Sequence, residues 1–362
     1  SDSAWDFYSR QYAADPENLA ALRGLGGISL SRGDVDAAQK YFEAFASKAS
    51  DPTLLAEAET QLGELAAARG DDGAAVGHFE NALARLGSWR PAMAGLRGTH
   101  ERAGNWKALV GVIAREANAQ PERRVELHAE IARLWQDRIG EARIAVAAWQ
   151  KVLQEEPTHA EALARLLALL EAAGDWRGYL DLAERTLDQL SGRALRDRQA
   201  ELGVIAMERA GQPDRSVPLL RAAIAGDHPS LVAVGALRRL YQTRGDWEQV
   251  ITLSERQSEI VEDLAERVAL LSEAARIKFD QLLDRDGAAR LYGKVVELAP
   301  NTPDALQFFV GYYFDVEDWE KAAPIFDRYS PLVADKDLDA DLDERQEATA
   351  FYYKYGTLLL KL

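Results

Sequence analysis

Apolar residues along this chain recur at helical spacing. Leu163, Leu166, Leu167 and Leu170 fall on one face of a helix, and comparable stripes run through most of the sequence. No segment alternates apolar and polar residues in the manner of a half-buried strand. The stripes are broken at regular intervals. Gly followed by a polar residue occurs at Gly33-Asp34, Gly70-Asp71, Gly104-Asn105, Gly174-Asp175, Gly211-Gln212 and Gly245-Asp246, at spacings of 37, 34, 70, 37 and 34 residues. The longest gap contains Gly140-Glu141, which divides it into steps of 36 and 34. Glu317-Asp318 lies 72 residues beyond Gly245, with a turn near Leu283-Asp284 between them. The chain therefore repeats about every 35 residues, and such a period marks a stacked array.

Each period predicts two helices. The Gly ends the first by taking a left-handed backbone conformation, and the Asp or Asn after it caps the second. Many units close near a proline (Pro16, Pro52, Pro121, Pro157, Pro229, Pro300), which lacks an amide hydrogen and restricts its predecessor. Within the second helix, residue size follows the turn. Five residues after it stand Ala38, Ala75, Ala145, Ser216, Ala288 and Ala322; nine after it stand Phe42, Phe79, Trp149, Leu220, Tyr292 and Phe326. A small side chain lets two helices approach, and a large one fills the space beside it. Gly26 and Gly63, each seven residues before a turn, supply small positions on the first helix.

These positions resemble the tetratricopeptide repeat, whose pattern combines small residues, an aromatic and a closing proline at such offsets. The resemblance covers the whole chain. It implies an all-α, right-handed superhelical solenoid of antiparallel helix pairs with a concave groove lined by the first helix of each pair. Nine full repeats are expected over 17–330, with a half repeat at each end. Residues 1–16 read as a second helix without its first, and 331–362 as an acidic linker and a first helix without its second. Solenoids normally carry polar capping repeats, so these ends lead to the expectation of a longer array or of self-association through uncapped ends. The whole of 1–362 is expected to form one solenoid.

Three units share a variant pattern. Trp106-x-x-Leu109-Val110-x-Val112-x-x-Arg115 returns as Trp176-x-x-Tyr179-Leu180-x-Leu182-x-x-Arg185 and as Trp247-x-x-Val250-Ile251-x-Leu253-x-x-Arg256. Trp319 lies 72 residues beyond Trp247, so two repeat types alternate with a super-period near 71. The tryptophans read as packing at repeat junctions.

Composition narrows the function more than it names it. A formal net charge of −16 over 362 residues opposes binding to nucleic acid or anionic lipid and suits a basic protein or peptide partner. With 0 Cys, disulfides, thiolate metal sites and thiol catalysis are excluded. No apolar run is long enough to cross a membrane, and the first residues lack the features of a signal peptide. A cytoplasmic location is expected, with the periplasm as the alternative.

The residues offer no catalytic constellation. The five histidines (His78, His100, His128, His159, His228) are scattered over different repeats without metal-ligand spacing. Gly24-x-Gly26-Gly27 has neither the preceding strand nor the lysine of a phosphate loop, and reads as helix packing. No Ser occupies a nucleophile elbow. The run Asp335-x-Asp337-x-Asp339-x-Asp341-x-Asp343 has Ala340 where a calcium loop needs Gly and Gln346 where it needs Glu, so it reads as a solvated linker. No enzyme activity, cofactor or metal is expected.

Residues thirteen, ten, six and three before each turn share one face of the first helix. Over nine units that stripe carries twelve acidic residues: Glu57, Glu64, Glu101, Glu130, Asp137, Glu161, Glu171, Glu201, Glu208, Glu273, Asp280 and Asp304. Three are basic: Arg23, Arg198 and Arg239. The stripe predicts an acidic groove for a basic segment, with binding that weakens as salt rises. Its basic residues do not reproduce the carboxylate clamp known in the family. A second candidate surface is aromatic, at 308–314 and 351–355, with Phe314 and Tyr353 available for contact. The expected function is a non-catalytic interaction scaffold. The alternative is a regulatory or targeting part of a larger enzyme, or of an envelope secretion or polysaccharide-export machine, since such systems use similar repeats.

Overall fold

The computed structural model describes residues 2–226, 229–334 and 342–361. Its described residues form twenty α-helices with short 3-10 and π segments and no strand. They group into two compact units, Ser1–Gly174 and Asp175–Leu362. In the first, the lone helix Asp2–Ala14 is followed by the pairs Leu19–Ser31 with Val35–Lys48, Pro52–Ala68 with Asp72–Arg85, Arg90–Arg102 with Trp106–Ala119, and Arg124–Arg133 with Ala142–Glu155; helix Ala160–Ala172 closes it. The second opens on Trp176–Glu184. Its pairs are Gly192–Glu208 with Pro213–Ala223, Leu231–Arg244 with Trp247–Ile260, Leu264–Asp280 with Arg285–Leu298, and Pro303–Asp315 with Trp319–Ala334; helix Leu342–Lys361 follows. Each unit thus holds four complete helix pairs among its described residues.

All nine turn positions adopt positive φ, between 53° and 79°. Seven are glycines. Leu283 and Glu317 complete the set as the two non-glycine residues with positive φ among the described residues, at 53° and 56°. The period thus overrides residue preference at these turns: the helices on either side are held by packing, and the residue between them takes the strained conformation. Asp34, Asp71, Asp175 and Asp284 cap the following helices, each accepting a backbone N–H three residues on. Asn105 and Asp246 make no such side-chain bond. There the N–H of Trp106 and Trp247 instead turns back to the carbonyl of Gly104 and Gly245.

The small and large positions meet as their spacing requires. Ala38, Ala75, Ala145, Ser216, Ala288 and Ala322 are fully buried, and each aromatic or leucine four residues later is buried as well. A Cβ added to Gly26 would lie 2.9 Å from the Phe42 ring, and one added to Gly63 would lie 2.7 Å from the Phe79 ring. Gly203 meets Leu220 in the same way at 2.6 Å, but lies eight rather than seven residues before its turn. Ala132 and Ala275, fully buried, also sit eight residues before theirs. The alternate repeats therefore hold one extra residue between the packing layer and the turn. In the repeat of Ala132 it is absorbed by a π turn over Leu134–Ile139.

Ion pairs cross from one repeat to the next along the turn edge. A base near the end of a first helix reaches an acid in the first turn of the preceding second helix, as in Arg32–Asp2 (2.6 Å), Arg69–Asp36, Arg102–Asp72 (2.7 Å), Arg244–Asp214 (2.8 Å) and Lys278–Glu248 (3.1 Å). Each charge also suits the helix end that carries it. The variant tryptophans lie at the same edge. Arg138 lies 5.2 Å from the Trp106 ring and Arg209 5.9 Å from the Trp176 ring. Arg115 and Arg256, nine residues after their tryptophans, reach back one repeat, to Glu80 and to the Ile224 carbonyl. Junction packing accounts for this signature.

Two glycines separate the two demands on the chain. Gly63→Ala is expected to lower stability by about 1–3 kcal/mol through overpacking against Phe79. Gly140→Ala, with φ of 78° and open space around its Cβ, is expected to cost about 1 kcal/mol through the backbone alone. In urea melts, adding Phe79→Leu should recover part of the first loss and none of the second.

Candidate functional site

The first helices present one face that no described element of their own unit covers. In unit Ser1–Gly174 this face shows Ala94, Gly98, Glu101, Ala164, Ala168 and Glu171 to solvent. Between them lies a web of charge. Arg133 is bidentate on Glu161, at 2.9 and 2.6 Å, and Arg165 reaches both oxygens of Asp137, at 3.0 and 3.1 Å. Arg97 lies between Glu130 and Glu116, 2.6 Å from the latter. Glu116 is buried and also accepts from Arg123 and Gln120, while Gln120 accepts from Arg90. Arg90, Arg97, Glu116, Gln120 and Arg123 line a cleft of about 580 Å³ together with Glu101.

In unit Asp175–Leu362 the same face carries Arg198–Glu201 at 2.7 Å, Arg239–Glu208 at 3.1 Å and Arg238–Glu273 at 2.8 Å. Beside Glu201 the surface turns apolar. Ala200, Val204 and Ile205 on one helix and Val232 on the next line an open slot of about 410 Å³, edged by Asp197 and Glu201.

The acidic stripe is thus less acidic than its count suggests. Glu57, Glu130, Asp137, Glu161, Glu201, Glu208 and Glu273 are each paired with an arginine. Arg97, Arg133, Arg165 and Arg238 stand one residue off the counted positions, and their long side chains swing onto the face. The extra residue of the alternate repeats adds to the effect. Leu127, Leu270 and Ile277 occupy stripe positions by count but are buried, while Arg133 and Arg276 take places toward the face. Thr60, also counted, is buried under Trp89, whose indole N–H donates to its hydroxyl at 3.0 Å. Glu101, Glu171, Asp280 and Asp304 keep no ion pair among the described residues. The signal for this neutralisation was present as arginines at helical offset from the acids of the neighbouring repeat.

The aromatic segments mostly complete the core. Phe309 and Tyr313 stack at 5.0 Å, Phe326 and Phe351 at 5.4 Å, and Phe314 meets the Trp319 edge at 5.6 Å with Lys354 5.3 Å from its ring. Burial pushes the Tyr292 phenol up to about 12. Tyr353 is 75% exposed and Leu360 89%, so the outer side of the last helix remains apolar and open.

The remaining candidate chemistry is absorbed locally. His78 bonds Glu59 at 2.7 Å, His128 bonds Glu155 at 3.1 Å, and His159 caps its helix by accepting from the Ala162 N–H. His100 is buried, and desolvation holds its imidazole below the ordinary range. A Cβ on Gly24 would lie 2.5 Å from the Tyr8 ring, so the glycine cluster serves packing. His228 and the aspartates of 335–341 lie outside the described residues, as does the Asp343 side chain. No described helix is long and apolar enough to cross a membrane.

The tetratricopeptide repeat family model matches residues 233–268. That span holds a first helix, the left-handed Gly245 and the Trp247 helix, the same arrangement that recurs along both units. That segment is a tetratricopeptide repeat. Among solved structures, the chain is similar to MamA, at 22% identity over 44% of this chain and 85% of that one, with a TM-score of 0.35. It is also similar to a tetratricopeptide repeat protein from Parabacteroides merdae, at 13% identity over 70% and 96%, TM-score 0.33. A third is YrrB, described as having an unusual peptide-binding site, at 13% identity over 64% of this chain and 97% of that one, TM-score 0.33. A comparison with curated proteins finds no match.

The charge web has a pH consequence. The Arg133 hydrogen bond holds Glu161 below its ordinary value of 4.5. A carboxylate depressed in the folded state adds stability above its unfolded pKa and loses it as pH falls through the folded one. Urea midpoints of the wild type should therefore drop below about pH 4.5 more steeply than those of Glu161→Gln, with the two curves converging in acid.

Proposed function

We propose that this protein is a non-catalytic interaction scaffold that holds a protein segment against the face of its first helices. The observation that carries the reading is the character of that face. It stays open along each unit and joins small residues (Ala94, Gly98, Ala164, Ala168) to carboxylates without partners (Glu101, Glu171). Small residues let a partner backbone come close, and unpaired carboxylates supply directional contacts for cations. The paired acids have a different part in this reading. Glu130, Asp137 and Glu161 fix the surface through their arginines, so in unit Ser1–Gly174 the charge left for a partner is concentrated at Glu101 and Glu171. The partner segment is accordingly basic but sparsely so, and salt weakens its binding in steps set by a few contacts. The exposed Tyr353 side of the last helix is a second, apolar contact surface.

A crosslinked pull-down eluted in salt steps tests the reading. A discrete partner should be released at moderate salt, and Glu101→Lys with Glu171→Lys should weaken its capture by about tenfold at low ionic strength, an effect that shrinks in high salt. Recovery of this chain alone would sink the scaffold reading. Capture indifferent to salt and to both reversals would remove the face and leave the Tyr353 surface.

A further inference from the structure

We propose that the slot between helices Gly192–Glu208 and Leu231–Arg244 takes one branched aliphatic side chain of the partner segment, with a lysine or arginine next to it held by Asp197 and Glu201. This rests on the scaffold reading above. The slot is apolar at its base, where Ala200, Val204 and Ile205 face Val232, and Val232 is 64% exposed. An aliphatic side chain placed there would cover surface that now contacts water, and this is the favourable part of the association.

The cation follows from the wall. Asp197 and Glu201 stand one helical turn apart on the same side, and both line the slot, whereas no arginine or lysine does. Their present partners are drawn elsewhere. Arg198 pairs with Glu201 but also donates to the Tyr179 hydroxyl at 3.3 Å and lies 5.8 Å from its ring. Arg193 is 3.5 Å from Asp197 and almost wholly exposed. Each carboxylate has about four lone-pair sites, so both can accept from a further cation without giving up the first. An acidic residue beside the aliphatic anchor would meet two like charges at the mouth. The motif the slot selects is therefore aliphatic followed or preceded by basic, and it excludes aliphatic beside acidic.

The test uses the full chain with labelled Val, Leu and Ile methyl groups and three probes: N-acetyl-Leu-Arg-amide, N-acetyl-Leu-Glu-amide and N-acetyl-Ala-Arg-amide. The methyls of Val204, Ile205 and Val232 should move saturably with the Leu-Arg probe. That probe should bind at least about threefold tighter than Leu-Glu at low salt, the ratio expected of an exposed charge contact. Glu201→Gln with Asp197→Asn should abolish the preference but keep the methyl shifts, and Val232→Trp should abolish both. Equal affinity for Leu-Arg and Leu-Glu, equal affinity for Ala-Arg, or shifts elsewhere in the chain would overturn the proposal. If a partner is captured through Glu101 and Glu171 while the slot methyls stay unmoved, the slot fails and the scaffold reading survives. If the slot binds its probe as stated but the pull-down recovers only this chain, the scaffold reading fails instead.

Discussion

Everything in this structure depends on the close approach of two helices within a repeat, set by a small residue on one and a bulky residue on the other. Where Phe42 lies over Gly26 and Phe79 over Gly63, even a methyl group would have to displace a ring. That contact fixes the angle of the pair, and the pair then offers its other sides to the neighbouring repeats. Because each repeat buries its apolar surface only against those neighbours, stability accumulates locally and the chain can grow long. The turn is subordinate to this contact. Leu283 and Glu317 accept a left-handed backbone because the helices they join are already held in place. The strain of about 1–2 kcal/mol at such a residue is small beside the burial of a whole helix pair.

The same economy governs charge. A chain with net charge −16 would repel itself if its acids were crowded on one face. Here the first helices place arginines against the acids of neighbouring repeats, so Arg133, Glu161, Arg165 and Asp137 form a web. Exposed pairs of this kind contribute roughly 0–1 kcal/mol each, so their larger effect is on which carboxylates remain for a partner. Neutralisation turns a broadly acidic stripe into a patterned surface, with free acids at Glu101 and Glu171 and an apolar slot beside Glu201. A patterned surface can discriminate between segments of equal charge. A uniform one cannot.

Much of the fold was legible from residue spacing. The period, the nine turns and the small-to-large offsets all followed from local rules that act within about 35 residues. The aromatic C-terminal segments were legible as helices. Whether Phe314 or Tyr353 stayed exposed was not, since both lie in helices with aromatics on several sides.

The sequence by itself determined the element type, the repeat and the residues that pack each pair, because helix periodicity, left-handed turns and side-chain volume are local quantities. Tertiary structure alone decided the character of the candidate site. One extra residue in alternate repeats, taken up by the π turn at Leu134–Ile139 in one of them, rotated the later part of the first helix and exchanged buried for exposed positions. Arginine side chains several bonds long then chose partners about 30 residues away. Neither outcome can be read along one helix, because both depend on where the adjacent helix puts its charges in space.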